Sequence, residues 1–201
     1  MTEQNVYTVK NQVADPTTLG LFGLAIVTMV AASNKLGITS DVSGILPWAI
    51  FLGGFAQLIA CIFDFKHNNL FGASAFGAYG LFWIGVSFTW MTKFGYFGDP
   101  MKDALDMGQF GFALLGYVIF SIFMTISTLK MNPVMFVLLI LIDILLFALM
   151  MYTFTHVHAW GLIAGIAEAA TSLVTFYALG AKYLNAFFGR TMMPVGKPMV
   201  K

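Results

Sequence analysis

Charged residues are scarce in this sequence: Asp, Glu, Lys and Arg together make up 9% of it, where soluble domains carry roughly 25%. That shortfall excludes an ordinary water-soluble surface, and a mean hydropathy of +0.85 agrees. The formal net charge of +1 leaves no excess of either sign, which excludes nucleic acid as an expected partner. Cysteine is nearly absent. The single Cys61 lies in an apolar run and has no partner for an intrachain disulfide. No paired carboxylates, Ser-His arrangement or metal-ligand cluster falls within one apolar run, so neither enzyme chemistry nor a metal or cofactor is expected. His156 and His158 are spaced too closely, and lack the partners, to hold a metal by themselves. Residues 1–15 are polar and lack the basic and apolar regions of a signal peptide. The first helix is therefore expected to stay in the mature protein.

What the chain has instead is long apolar runs. Residues 16–34, 42–63, 67–92 and 107–129 contain no Asp, Glu, Lys or Arg. Two more, 131–155 and about 161–181, contain one acid each, Asp143 and Glu168. A helix needs roughly twenty residues to cross a bilayer, and only helices and closed barrels satisfy their own backbone there. Short alternating strands are absent. The expected fold is an all-α integral membrane protein with six transmembrane helices, over residues 16–187. A tail of 1–15 precedes it and one of 188–201 follows.

The odd-numbered helices share a start signal. Asp15-Pro16 and Asn132-Pro133 place a capping side chain before a proline, and Asn68-Asn69 can cap the third helix. Seven cations (Lys10, Lys66, Lys130, Lys182, Arg190, Lys197, Lys201) gather on the side of these starts, against Lys35, Lys93 and Lys102 on the other. Both termini are therefore expected to be cytoplasmic. The loop from Thr92 to Asp106 is expected to be a solvated cap on the far side. Small residues, including Ala73 and Gly77 in the third helix and Gly161, Gly165 and Ser172 around Glu168 in the sixth, promise close helix contacts.

Polar groups inside such spans are the first suspects for function. Asp143 sits near the centre of its span, where a lone charge costs a few kcal/mol. It is expected to be neutral or paired, either as a structural bond to a neighbouring helix or as a participant in proton movement. Glu168 is expected near the outer end of its helix, as an interfacial carboxylate. Gln57 offers donors and an acceptor in mid-span. Tyr79 falls in an aromatic stripe between Phe76 and Trp83 by helical spacing. Its hydroxyl can donate a hydrogen bond while its ring excludes water. No basic residue is expected deep in a span, so a bound anion would depend on helix starts such as Asp15-Pro16 and Asn69.

Four motifs carry a resemblance. Residues 69–83 read N-L-F-G-A-S-A-F-G-A-Y-G-L-F-W, and the first helix opens Asp15-Pro16-Thr17-Thr18-Leu19-Gly20-Leu21. Gly53-Gly54-Phe55-Ala56-Gln57 follows in the second helix, and Phe188-Gly189-Arg190 with Pro194-Val195-Gly196 closes the chain. In this order they resemble the acetate uptake transporter family, the succinate–acetate permeases, whose first motif reads N-P-A-P-L-G-L. The resemblance implies a six-helix protomer, usually in a homohexamer, in the plasma membrane. It implies transport of acetate and related short carboxylates, in some members succinate, with protons or through a channel. It also implies an apolar constriction of Phe, Tyr and Leu, which falls here at Leu24, at Tyr79 and at Ile142 or Asp143. Departures from the pattern are Asp15 for Asn, Thr18 for Pro and Leu24 for Phe. The rival readings are a channel for small neutral solutes and a non-transporting sensor or assembly protein.

Overall fold

The computed structural model describes residues 13–200, and among these it is entirely helical. Six helices are long and apolar enough to cross a membrane: α1 Thr17–Lys35, α2 Ser43–Lys66, α3 Leu70–Lys93, α4 Met107–Thr128, α5 Pro133–Thr155 and α6 His158–Phe188. Lys10 and Lys201, part of the charge bias, lie outside the described residues, as does the tail up to residue 12. The helix ends follow the charges closely, because an ionised side chain marks where the chain can leave lipid. The sixth helix departs from this. It starts at His158 and runs to Phe188, so Lys182 is a helical residue rather than a flanking one.

Local chemistry sets the starts. Asn69 Oδ1 accepts the Gly72 amide at 3.1 Å and Asn132 Oδ1 accepts that of Met135 at 3.1 Å, each satisfying one orphan N–H. Asp106 caps α4 in the same manner, through Gly108 N at 2.8 Å. At α1 the expected register is off by one residue. Pro16 occupies the cap position, and Asp15 accepts instead from the amide of Thr17 at 3.0 Å. The loop between α3 and α4 carries a single exposed turn, Asp99–Asp103.

The helices follow one another around a ring. α1 packs most extensively on α6, α4 on α5, α5 on α6 and α2 on α3. Only α3 and α4 stand apart, and aromatic side chains fill the gap. Tyr117 stacks on Tyr79 at 6.5 Å and meets Phe82 edge-on at 4.9 Å. α1 crosses close to α2 at Gly23. A Cβ at Gly23 would lie 2.3 Å from the Leu52 carbonyl oxygen, and a backbone atom cannot move aside as a side chain can. Gly23→Ala is expected to cost about 1–3 kcal/mol or more, read as a lower unfolding midpoint in detergent. An unchanged midpoint would mean that the crossing tolerates separation.

α2 is not a regular helix. Between Ala49 and Ala56 its hydrogen bonds lengthen to the wider π spacing, a feature frequent at functional sites. After Phe188 the chain turns back under the bundle. The amides of Met199 and Val200 both reach the Leu129 carbonyl, and Asn185 and Tyr177 hold the stretch around Met193 and Pro194.

Candidate functional site

A cavity of about 950 Å³ opens at the end of the bundle that carries the chain termini. Its mouth is formed by the starts of α1, α3 and α5, which contribute Asp15, Thr17, Asn69 and Asn132, and by Lys182 from the last turns of α6. Three helix N-termini thus converge on one vestibule, and their unpaired amides favour negative charge. The wall is apolar: Leu21, Phe76, Leu138 and Leu139 line it. Leu21 of the L-G-L motif is buried, and Gly20 beside it lies against the Phe76 ring with no room for a Cβ. Leu19 points outward and is exposed.

The vestibule ends blindly. A second void of only about 20 Å³ lies beyond it, enough for roughly one water. Leu24, Tyr79 and Ile142 line both spaces, so these three side chains form the neck between them. Asp143 lines neither space; its Oδ2 accepts from Thr125 Oγ1 on α4 at 2.7 Å, while its buried Oδ1 has no partner. The bond to a neighbouring helix is thus present, with one oxygen left over. Beyond the neck stand the hydroxyls of Thr28 and Thr171, each donating back to its own helix.

Tyr79 does not stack between Phe76 and Trp83. Its ring meets Tyr117 and Phe120 of α4, and its hydroxyl donates to Ser121 Oγ at 2.9 Å. The phenol therefore presents ring, not hydroxyl, to the neck. The reason is the gap between α3 and α4, which draws the large side chain across instead of along its own helix.

Gln57 follows directly on the π stretch and is fully buried on the vestibule wall. Its Nε2 donates to the Gly53 carbonyl at 2.8 Å, and its Oε1 has no partner. This leaves an acceptor without a donor deep in the vestibule. Asn69 is differently placed. Its Oδ1 is used by the Gly72 amide and its Nδ2 donates to Asp64 Oδ1 at 2.9 Å. Gly72 has no space for a side chain because the Asp64 carboxylate lies against it.

Two ion pairs appear that the sequence does not announce. Lys182 Nζ lies 2.6 Å from Asp15 Oδ2 at the mouth, both half-exposed. Partial burial pushes the Asp15 carboxyl up, but the Lys182 ammonium and the Thr17 hydroxyl and amide outweigh this. Together they hold it below the usual carboxylate range. The pair is therefore intact at neutral pH and is lost only as pH falls through that lowered value. At the opposite end Glu168 is not interfacial but buried, with its Oε2 2.7 Å from Lys35 Nζ. Gly165 lies against Lys35, and Ser172 donates to the Ala25 carbonyl, so this face of α6 is turned to α1; Gly161 alone meets Tyr152. His156 and His158 are exposed at the α5–α6 turn.

Six apolar helices around an apolar-walled vestibule are the build of a multi-pass membrane protein. The chain belongs to the GPR1/FUN34/yaaH family, whose profile matches residues 2–196. It is 32% identical over 191 residues to the succinate-acetate/proton symporter SatP of Escherichia coli K12, covering 92% of this chain and 97% of that protein. It is 32% identical to ammonia transport outward protein 2 of Saccharomyces cerevisiae, over 88% of this chain and 61% of that one. The solved structure of the bacterial acetate channel SatP superposes with a TM-score of 0.86 at 29% identity. That match covers 92% of this chain and all of the other.

Proposed function

We propose that this protein carries acetate and other short carboxylates across the plasma membrane, with both termini cytoplasmic and the vestibule open to the cytoplasm. In this reading residues 16–187 form the transport domain between cytoplasmic tails 1–15 and 188–201, and protomers assemble as a homohexamer. The observation that carries it is the neck. Leu24, Tyr79 and Ile142, which the family resemblance implies for a constriction (with Asp143 as the alternative to Ile142), line both the vestibule and the small void beyond it, which supports this reading. The family relationship to a succinate-acetate symporter and an acetate channel supports the substrate class.

The chemistry divides along the path. Helix N-termini and Lys182 suit an anion at the mouth. The neck offers no cation and no free donor, since the Tyr79 hydroxyl is given to Ser121. A bare carboxylate there would be desolvated without compensation, so the acid crosses the neck in its neutral form. Gln57 Oε1 suits the acid's O–H just below the neck. Uptake of labelled acetate into proteoliposomes should therefore rise as the outside is acidified. It should be competed by propionate and not by urea. Competition by urea would instead favour a channel for small neutral solutes, the reading that the ammonia-exporting relative brings forward.

Asp143 stands beside the neck with one oxygen unpartnered, and in this reading it takes part in proton movement. Asp143→Asn is expected to shift the pH dependence of uptake. A profile identical to the wild type would remove Asp143 from the mechanism.

A further inference from the structure

The vestibule mouth holds a carboxylate already, and that carboxylate belongs to the protein. Asp15 ends in the same –CH2–COO⁻ group as a short carboxylic acid. Its two oxygens are held by different donors. Oδ1 takes the Thr17 amide at the opening turn of α1 at 3.0 Å, and Oδ2 takes Lys182 Nζ at 2.6 Å. Among the described residues that line the cavity, Lys182 is the one cation and Asp15 the one anion. Removing Asp15 from this arrangement would leave a backbone N–H and an ammonium converging on a space of carboxylate size. Half-exposed pairs of this kind are weak, so the occupant can be exchanged. An independent sign that the vestibule receives a hydrogen-bonding guest lies deeper, where fully buried Gln57 keeps an unpartnered Oε1 on the same wall.

We propose that Asp15 is an internal stand-in ligand: the Thr17 amide and Lys182 form a carboxylate-binding site at the vestibule mouth, and a substrate carboxylate takes the place of Asp15 there. The occupant class is a short carboxylate anion. The displaced Asp15 swings toward solvent, which its half-exposed position permits. The exchange makes the mouth selective. A neutral solute cannot displace a carboxylate from an ammonium, and a cation meets Lys182 unscreened once Asp15 leaves. This inference rests on the reading of the protein as a carboxylate transporter.

The test is a titration of the full-length protein in detergent with ¹³C-acetate, followed by exchange broadening of the acetate signal, alongside labelled-acetate uptake into proteoliposomes. Asp15→Asn removes the competitor and is expected to lower the half-saturating acetate concentration about 2- to 5-fold, the range of an exposed ion pair. Lys182→Met is expected to raise it, and Lys182→Arg to keep it near the wild type. The double variant Asp15→Asn/Lys182→Met is expected to bind as weakly as Lys182→Met alone, because the gain from Asp15→Asn requires the ammonium. Both positions of this cycle are half-exposed, and each variant's unfolding midpoint is measured with it. If Asp15→Asn leaves half-saturation unchanged, or if its gain survives without Lys182, the inference is overturned. A wild-type protein that neither binds nor takes up acetate overturns the transport reading as well.

Discussion

Replacing Lys35 with Met is expected to destabilise the protein by about 3–5 kcal/mol, the cost of stranding a buried charge whose partner has gone. Glu168 is 1% exposed and its carboxylate meets Lys35 Nζ at 2.7 Å, while Lys35 itself retains 18% exposure. The ammonium can therefore still reach water, but the carboxylate cannot. The loss falls on one of the most extensive helix contacts in the bundle, α1 against α6. Read as thermal unfolding by tryptophan fluorescence, it corresponds to a fall of about 6–20 °C in Tm for a chain of this size. The double variant Lys35→Met/Glu168→Leu is expected to recover most of the loss, since a well-packed apolar pair often equals a buried ionic one. Two results would refute this account: a Lys35→Met protein as stable as the parent, or a double variant less stable than the single.

That pair also shows where a sequence stops being informative. Its members are 133 positions apart, and helical periodicity places Glu168 on a small-residue face without saying which helix that face meets. The six spans were legible because lipid makes each ionised residue a boundary marker. The caps at Asn69 and Asn132 were legible because capping is a local reaction between a side chain and amides two or three residues on. Asp15 was half legible: it does take an amide, but that of Thr17, and its second oxygen belongs to Lys182. The extent of α6 was misjudged because Lys182 looked like a flanking charge, whereas a partner at the vestibule mouth keeps it on the helix. Tyr79 was placed on the right helix and given the wrong neighbours. Spacing names Phe76 and Trp83, but the separation of α3 and α4 is a tertiary quantity and decides the matter. The π stretch before Gln57 left no sign beyond Gly53-Gly54, since one extra residue in a turn is indistinguishable from ordinary helix in a uniformly apolar run.

The distribution of polar partners along the path separates holding from passing. Groups near the mouth are mostly satisfied: Asn69 with Gly72 and Asp64 Oδ1, Asn132 with Met135, Asp15 with Thr17 and Lys182, with Asp64 Oδ2 the exception, buried and unpartnered. Groups at mid-depth are not: Gln57 Oε1 and Asp143 Oδ1 are both buried and unpartnered. Satisfied groups build a rigid funnel at little cost, while an orphaned acceptor is a standing penalty of about 1–3 kcal/mol. Such penalties persist where a transient guest removes them. Of these two, Gln57 lies on the vestibule wall, on the helix that precedes Tyr79, and Asp143 follows Ile142 in the chain without lining either space.

Shortening Ile142 to Ala is therefore expected to change which carboxylates pass far more than whether acetate passes. The neck is three side chains wide, and Ile142 is 5% exposed with contacts to both spaces it divides. Losing three carbons there merges the vestibule with the small void beyond, which holds about 20 Å³ at present. One methylene in an apolar pocket discriminates by about 1–3 kcal/mol, or 10- to 200-fold. Butyrate uptake relative to acetate should accordingly rise at least about tenfold in Ile142→Ala. Water reaching across the shortened side chain also lowers the desolvation cost of the anion, so the acid preference of uptake should weaken in the same variant. Ile142→Leu keeps the volume and should keep both properties. The measurement is paired uptake of labelled acetate and butyrate into proteoliposomes at two external pH values. An unchanged butyrate-to-acetate ratio in Ile142→Ala would place the selective barrier elsewhere on the path, whatever the absolute rates.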